Sequence, residues 1–137
     1  KMFTADGWCR TGDVVRLEAD GNIFYCDRDK DALKVGGENV SAREVEDACR
    51  SVAGIEDLAV VAKRHEMLDM VPVVFVIRAE TAGPEADMSA AIIAACRNVL
   101  ADFKVPRAVY FVDEFPTAEL GKISKKDLRE LADSFDA

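Results

Sequence analysis

The sequence predicts an α+β fold, with a short central β-sheet flanked by helices and preceded by a β-hairpin. Three observations support this prediction. Runs rich in β-branched residues at 55–64 and 71–80 are typical of strands. Segments 41–52, 88–103 and 124–135 repeat apolar residues at the spacing of an amphipathic helix. The alternation of such segments predicts helices packed on a small sheet.

The β-hairpin is predicted at 13–28, because an Asp-Gly-Asn turn at 20–22 separates two apolar runs. Charged residues at 27–30 then interrupt the apolar pattern and indicate a linker or hinge. Residues 32–35 suit a short strand. The two glycines that follow indicate a tight turn or a close approach to another group.

The first and last helices have recognisable starts. Ser41 with Glu44, and Ser124 with Asp127, have the three-residue spacing in which a serine caps a helix N-terminus. The last strand is predicted at 108–115. After the hinge, the predicted order of elements is β, α, β, β, α, β, α.

Composition and charge describe one compact domain with an attached segment. The 137 residues are 50% apolar and 32% charged, and the net charge is 18 − 26 = −8. This balance argues against nucleic-acid binding and anionic membrane surfaces, but is compatible with a local basic site. We expect no membrane span and no signal peptide. Because the sequence starts at Lys1 and has no initiator methionine, we expect a fragment of a longer protein.

The cysteines predict free thiols and no metal site. They are far apart in sequence, form no Cys-x-x-Cys pair, and make a poor zinc set with the single His65. We expect structural roles for the cysteines, because no base accompanies any of them in a recognisable motif. We expect His65 to be a surface or structural residue. Free thiols indicate a reducing, cytoplasmic location. The four cysteines are Cys9, Cys26, Cys49 and Cys96.

Two patterns around the hairpin could bind a nucleotide. Asp13 follows a Thr-Gly turn, where its carboxylate could accept hydrogen bonds from the vicinal hydroxyls of a ribose. Arg28 can present a planar fork of donors to hydroxyl or phosphate oxygens, and Lys30 lies at the hinge. Taken alone, a turn-capping aspartate and a solvated charged loop are the favoured interpretations.

Two glycine-containing patterns follow. Gly36 and Gly37, between Lys34 and Glu38, would let the backbone approach a thin ligand closely, or simply turn a hairpin. They do not form a Walker loop, because no Gly-Lys-Ser/Thr ending is present. Lys122 follows a glycine just before a helix and could balance the charge that builds up as a carboxylate attacks a phosphate. A surface lysine in a basic stretch is the alternative.

In this order and spacing, the patterns together resemble one family. The run GWCRTGDVVRLEADGNIFYCDRDKDALKVGGENVSAREVEDA resembles the adenylate-forming acyl-CoA synthetases from their TGD motif to their glycine-rich loop. The run DFKVPRAVYFVDEFPTAELGKISKKDLRE resembles their C-terminal lysine motif. This superfamily of AMP-dependent ligases also holds firefly luciferase and peptide-synthetase adenylation domains. The resemblance covers nearly the whole chain.

The resemblance implies an ATP-dependent acid-thiol ligase, of the kind used in fatty acid metabolism. A carboxylate attacks the α-phosphate of ATP, bound with Mg²⁺, to give an acyl-adenylate and pyrophosphate. The thiol of coenzyme A then displaces AMP. A small, mobile C-terminal domain rotates between these steps. By this resemblance, 1–27 is the tail of the large N-terminal domain, 28–30 the hinge, and 31–137 the C-terminal domain.

The resemblance also implies roles for single residues in adenylation. Asp13 would bind the ribose hydroxyls of ATP, and Arg28 would assist there. Lys30 matches the hinge position. Lys122 matches the lysine that contacts the carboxylate and the α-phosphate, and it would be withdrawn when the domain rotates.

Other residues match the thioester-forming face. The glycine pair with Glu38 matches the loop that closes on the pantetheine arm of coenzyme A, and Lys34 lies on the same face. Lys104 and Arg107, in the run FKVPR, could meet the phosphates of the coenzyme A nucleotide. The resemblance implies no permanently bound cofactor.

Two departures from the family pattern shape the expected function. The phosphate-binding loop and acyl pocket are absent here, and we expect the missing N-terminal domain to supply them. The fragment alone should therefore be inactive towards ATP, coenzyme A and a carboxylic acid. The run RHEMLDMVPVVFVI lacks a Gly-Glu that is common there. The run DRDKDALKVGGENVS is closer to acyl- and aryl-CoA ligases than to peptide-synthetase domains.

Two alternative functions stay open. The acceptor could be a phosphopantetheine on a carrier protein instead of free coenzyme A. The chain could also be an interaction module that kept the fold and lost the chemistry. The intact charged and glycine motifs argue against this second alternative.

Overall fold

The structure is a computed structural model that describes residues 2–29 and 32–135. Within that part no helix is both long enough and apolar enough to cross a membrane. Short 3-10 turns at Asp102–Lys104 and Glu119–Gly121 precede the last strand and the last helix. The strands and helices are β1 Asp13–Leu17, β2 Ile23–Arg28, β3 Leu33–Val35, β4 Glu38–Val40, α1 Ala42–Cys49, β5 Ile55–His65, β6 Asp69–Arg78, α2 Glu85–Val99, β7 Ala108–Phe111 and α3 Lys125–Ser134.

The N-terminal hairpin forms where the sequence predicted it. Strands β1 and β2 are antiparallel, and the backbone N–H of Asn22 donates to Asp20 Oδ1 at 3.0 Å in the turn. The apolar side chains of the hairpin remain in solvent: Leu17 is 69% and Ile23 67% exposed. The hairpin therefore lies outside the hydrophobic core of this chain.

The core is built on a three-stranded sheet in the order β5-β6-β7. Strands β5 and β6 are antiparallel and pair Val60 with Val74. Strands β6 and β7 are parallel and pair Val74 with Val109, which requires the crossover that α2 supplies. This architecture confirms the predicted α+β fold.

Alternate residues of the sheet face two separate hydrophobic clusters, since side chains along a strand point to opposite faces. One cluster contains α1, α2 and the β3–β4 hairpin, which we call the α1/α2 layer. The other contains α3, which we call the α3 layer. The sheet residues facing the α1/α2 layer include Leu58, Val60, Ala62, Val74 and Val76. Those facing the α3 layer include Ala59, Val61, Val73 and Phe75.

The predicted helix caps are present. Ser41 Oγ accepts a hydrogen bond from the backbone N–H of Glu44 at 3.3 Å, at the start of α1. Ser124 Oγ accepts one from the backbone N–H of Asp127 at 3.3 Å, at the start of α3. Each cap satisfies an N–H group that the helix itself cannot pair.

Three elements differ from the sequence prediction. The segment after the hinge is a hairpin, β3–β4, and not a single strand at 32–35. Helix α2 starts at Glu85, earlier than predicted. Acidic residues in its first turn stabilise the helix N-terminus, but they add nothing to the apolar pattern from which the helix was predicted. Strand β7 stops at Phe111, opposite Val76, close to where its partner β6 ends.

Two of the cysteines meet in the α1/α2 layer. Cys49 at the end of α1 and Cys96 on α2 are fully buried, with their Sγ atoms 3.5 Å apart. All four cysteines are free thiols. The hydrogen bond to Cys96 and the burial of the thiol raise the pKa of Cys49 above its usual range. Cys49 therefore stays a neutral thiol, packed as a small apolar side chain.

This burial makes a testable difference between the cysteines. In native protein at pH 8, iodoacetamide should alkylate exposed Cys9 at least about a hundredfold faster than Cys49 or Cys96, since the buried pair reacts only after opening. Peptide mapping by mass spectrometry measures the rates, and urea-unfolded protein, in which all four react, is the control. Equal native rates for Cys9 and Cys49 would contradict the packing of α1 on α2.

Candidate functional site

Asp13 and Arg28 lie opposite each other at the open end of the N-terminal hairpin. Arg28 Nε lies 3.3 Å from Asp13 Oδ1, and both side chains are partly exposed. The pairing depends on a register shift between Val14 and Val15, which leaves Cys26 of β2 without a residue opposite it on β1. Without the shift, the register of Val15 with Tyr25 would place Asp13 opposite residue 27 and not opposite Arg28. The bulge thus brings together the two residues predicted to bind a ribose.

Lys122 lies in a loop that is closed at its base. Thr117 and Ile123 form an isolated antiparallel bridge, and the backbone N–H of Ala118 donates to the carbonyl oxygen of Lys122 at 2.7 Å. Gly121 has φ +72°, a left-handed conformation that glycine adopts readily. The side chain of Lys122 is exposed just before α3. The loop therefore holds a cation at a defined place in solvent.

A basic surface cavity connects this loop with the hairpin. Arg28 and Lys122 both line it, so two residues predicted to act on ATP share one surface. Five cations and a single carboxylate line the cavity among the described residues, in a chain of net charge −8. This local excess of positive charge suits a phosphorylated ligand. The lining residues are Arg28, Ala118, Glu119, Lys122, Ile123, Ser124, Lys125, Lys126 and Arg129.

Glu46 joins three elements behind this cavity. Its Oε1 accepts hydrogen bonds from the backbone N–H of Val60 at 3.1 Å and from Lys125 Nζ at 2.9 Å. Strand β5 is an edge strand, so Glu46 supplies the acceptor that a neighbouring strand would otherwise provide. The contact ties α1 to β5 and to the first turn of α3. Sequence reasoning missed it, because residues 46, 60 and 125 share no local motif.

Gly36 and Gly37 form the two-residue turn of the β3–β4 hairpin. Their φ angles are +56° and +88°, the paired left-handed conformations of a type I′ turn. The N–H of Gly36 donates to the carbonyl oxygen of Leu68 at 3.0 Å, which fixes the turn against the β5–β6 connection. Lys34 and Glu38 flank the turn with exposed side chains. The turn thus offers a Cβ-free backbone surface.

The remaining predicted residues are placed apart. Lys104 Nζ lies 2.9 and 3.0 Å from the two carboxylate oxygens of Glu44, so the side chain is already in an ion pair. Arg107 is exposed and lines a different cavity, together with Arg97. Lys30, the predicted hinge residue, lies outside the described residues.

The two loops belong to opposite faces of the sheet. The β3–β4 hairpin packs through Leu33, Val35 and Val40 in the α1/α2 layer. The Lys122 loop packs through its neighbour Ile123 in the α3 layer. Buried residues at the centre of β5 and β6 lie between the two hydrophobic clusters, so the two loops are anchored on opposite sides of the sheet.

The sequence model of the AMP-binding enzyme C-terminal domain matches residues 44–122, more than half of the chain. The chain belongs to this family. The match includes Lys122 and begins just after the start of α1. It confirms the family that the sequence motifs resemble.

The relatives are adenylating enzymes and CoA ligases. Salicylyl-CoA synthase / salicylate adenylyltransferase of a Streptomyces species is 41% identical over 142 residues, covering 100% of this chain and 25% of that protein. Peroxisomal trans-cinnamate:CoA ligase of Petunia hybrida is 42% identical over 130 residues, covering 95% and 22%. The chain therefore spans about a quarter of the length of these curated relatives.

The structure is similar to MatB from Rhodopseudomonas palustris. The chain matches the ATP-bound form with a TM-score of 0.84 and 30% identity, over 96% of this chain and 26% of that one. For the apo form, at the same identity and coverage, the TM-score is 0.76. The arrangement of elements is closer to that of the ATP-bound form.

The Glu46 contact predicts a graded loss of stability. Glu46→Ala should lower the free energy of unfolding by about 1–3 kcal/mol, because it leaves the Val60 N–H without an acceptor and Lys125 without its partner. Glu46→Gln should cost less, because an amide oxygen can still accept from Val60. Urea unfolding of the chain followed by circular dichroism measures both changes.

A matched control for these variants is Glu130→Ala. Glu130 lies 4.0 Å from Lys126 in an exposed pair on α3, so its removal should change the free energy by less than about 0.5 kcal/mol. If the Glu46 and Glu130 variants lower the free energy of unfolding equally, Glu46 does not connect the two layers.

Proposed function

We propose that this chain is the C-terminal part of an ATP-dependent acyl-CoA ligase, which makes acyl-CoA, AMP and pyrophosphate through an acyl-adenylate. The observation that carries the proposal is that two loops lie in layers on opposite faces of one sheet. They are the Lys122 loop and the turn of Gly36 and Gly37, which we call the glycine turn. One layer would serve adenylation and the other thioester formation. The domain has to rotate between the two steps for each loop to reach the same site.

In the first step, Lys122 would contact the substrate carboxylate and the α-phosphate of ATP. The attack places additional negative charge between two anionic groups, and a positioned ammonium lowers the energy of that arrangement. The basic cavity beside Lys122 fits the phosphates of ATP, which enters with Mg²⁺. Because the loop is closed at Thr117 and Ile123, Lys122 would lose less conformational entropy when it contacts the substrate and ATP.

Asp13 and Arg28 would hold the ribose of the same nucleotide. The carboxylate of Asp13 can accept hydrogen bonds from two vicinal hydroxyls, while Arg28 keeps the carboxylate oriented at 3.3 Å. The higher similarity to ATP-bound than to apo MatB supports an arrangement suited to adenylation. The shared cavity of Arg28 and Lys122 supports the same assignment.

In the second step, the glycine turn would close on the pantetheine arm of coenzyme A. Two adjacent residues without Cβ atoms, with Lys34 and Glu38 on either side, suit a thin, extended ligand. Arg107 and Lys104 would meet the nucleotide phosphates, although Lys104 must first leave Glu44. A carrier-protein phosphopantetheine is the alternative acceptor, and its arm would use the same turn.

The domain boundary proposed for the chain is 1–27 for the end of the large domain, 28–30 for the hinge, and 31–137 for the C-terminal domain. The exposed apolar residues of the hairpin support it, because such a surface is normally covered. The large domain of the parent protein would cover it and supply the acyl pocket. Because the thiols are free, we place the parent enzyme in the cytoplasm.

The experiment that tests the proposal is carboxylate-dependent ATP–pyrophosphate exchange with the full-length parent protein. A panel of fatty, aromatic and carnitine-like acids should give strong exchange with one class, followed by thioester formation with coenzyme A alone. Exchange without thioester formation would favour a carrier acceptor. Folded protein that is silent across the panel in the presence of Mg²⁺ would favour either an acid outside the panel or a non-catalytic module.

Lys122 should separate the two half-reactions. In the parent enzyme, Lys122→Ala should lower exchange by at least about a hundredfold, the scale of losing a positioned electrostatic group, and leave thioester formation from pre-made acyl-adenylate intact. The matched control is Arg64→Ala, since Arg64 is an exposed cation outside the basic cavity. Loss of both half-reactions together would contradict the role given to Lys122.

Lys30 should affect the other half-reaction. Lys30→Pro fixes the φ angle near −65° and should slow thioester formation by about tenfold or more, with exchange largely retained, because rotation needs a freely changing backbone. Lys30→Ala is the control, because it removes the same side chain without fixing φ. Unchanged thioester formation in Lys30→Pro, or an equal loss in Lys30→Ala, would remove Lys30 from the hinge.

A further inference from the structure

Leu120 is an apolar side chain placed almost entirely in water. It is 95% exposed, more than any other exposed large apolar residue in the described part of the chain. It lies at the tip of the Lys122 loop, two residues before the lysine. A large apolar side chain at such a position loses the stabilisation that burial would provide.

The backbone of Leu120 is also unfavourable. Its φ and ψ are +63° and +23°, in the left-handed region that bulky residues rarely adopt. Within the described residues Asp69 is the other non-glycine with positive φ, and its short polar side chain is of a type that tolerates this conformation. Leu120 has no such compensation, and backbone strain of this kind gathers at functional sites.

The loop around Leu120 holds this conformation. Below the tip, Ala118 and Lys122 pair through their backbones, and Thr117 pairs with Ile123. Gly121, next to Leu120, is left-handed as well. The chain therefore reverses within a few residues, and both the leucine and the lysine side chains remain exposed. One rigid tip presents an apolar group and a cation together.

We propose that Leu120 is a positioning residue that seats in an apolar socket on the large domain of the parent chain and so fixes Lys122 for adenylation. This inference rests on the proposed function. We assign the socket to the large domain because the relatives are about four times as long as this chain. The loop also lines the cavity that Arg28 shares, on the hairpin through which the chain would continue into the large domain.

The inference gives Leu120 a conformational role. Seated, it would bury apolar surface only in the domain orientation that brings Lys122 to the α-phosphate. Rotation for the second step would withdraw the leucine together with the lysine. The strain and exposure found in this chain alone are then offset in one of the two orientations.

The test uses Leu120→Ala in the full-length parent, with both half-reactions measured separately. Exchange should fall about tenfold or more, given what burial of a leucine contributes, while thioester formation from pre-made acyl-adenylate stays unchanged. Leu120→Met should restore most of the exchange, because methionine has similar volume and adapts its shape. Val99→Ala, which removes an exposed apolar side chain at the end of α2, is the matched control and should behave as wild type.

The thermal stability of the present chain distinguishes a positioning role of Leu120 from a role in folding. Leu120→Ala should leave its thermal midpoint unchanged, and Leu120→Gly should leave it unchanged or raise it, because glycine accepts the left-handed conformation. A clear drop in the midpoint for either variant would assign Leu120 a structural role and overturn the inference.

Lys122→Ala, measured in parallel, distinguishes this inference from the proposed function. If Lys122→Ala abolishes exchange and Leu120→Ala does not change it, the inference fails and the function stands. If Lys122→Ala retains exchange, the proposed function fails first. A change of oligomeric state in Leu120→Ala, with unchanged exchange, would assign the leucine to a contact between copies and also overturn the inference.

Discussion

The pairing of β5 with β6 is the interaction on which the rest of the structure depends. It places valine side chains on both faces of a sheet only three strands wide, and Val60, Val61, Val73 and Val74 are all almost completely buried. A buried valine contributes about 1.5–3 kcal/mol relative to an exposed one. Both helical layers obtain their cores from this one pair of strands. The Lys122 loop and the glycine turn are each positioned by neighbouring residues, which pack on opposite faces of this sheet.

Side-chain carboxylates manage the free edge of this sheet. Within residues 2–29 and 32–135, no strand pairs with the outer side of β5. The Val60 N–H on that side donates to Glu46, and the Arg64 N–H donates to Asp133. Asp133 belongs to α3 and Glu46 to α1, so helices from both layers reach the same strand edge. An edge covered in this way offers few groups for pairing with another chain. It also connects layers whose hydrophobic clusters are otherwise separate.

The sequence predicted the elements better than the contacts between them. The two β-branched runs and the caps at Ser41 and Ser124 are local signals, and they lie where expected. The bulge that pairs Asp13 with Arg28 has no comparable signal, because only the register of the formed hairpin decides it. The Glu46 contact joins residues far apart in sequence and depends on the completed fold. Lys122 and its glycine were recognisable because their motif is continuous.

The separation of the two hydrophobic clusters has a consequence for how such a domain can diverge. Substitutions in groups that share no neighbours combine additively in free energy. Ile123 and the glycine turn pack in different clusters, so changes around Ile123 that leave the contact of Lys125 with Glu46 intact can accumulate with little effect on the glycine turn. If the two loops serve the two half-reactions as proposed, acceptor preference and adenylation rate are separable traits on one scaffold. A lineage could exchange its thiol acceptor while preserving an inherited way of activating the acid.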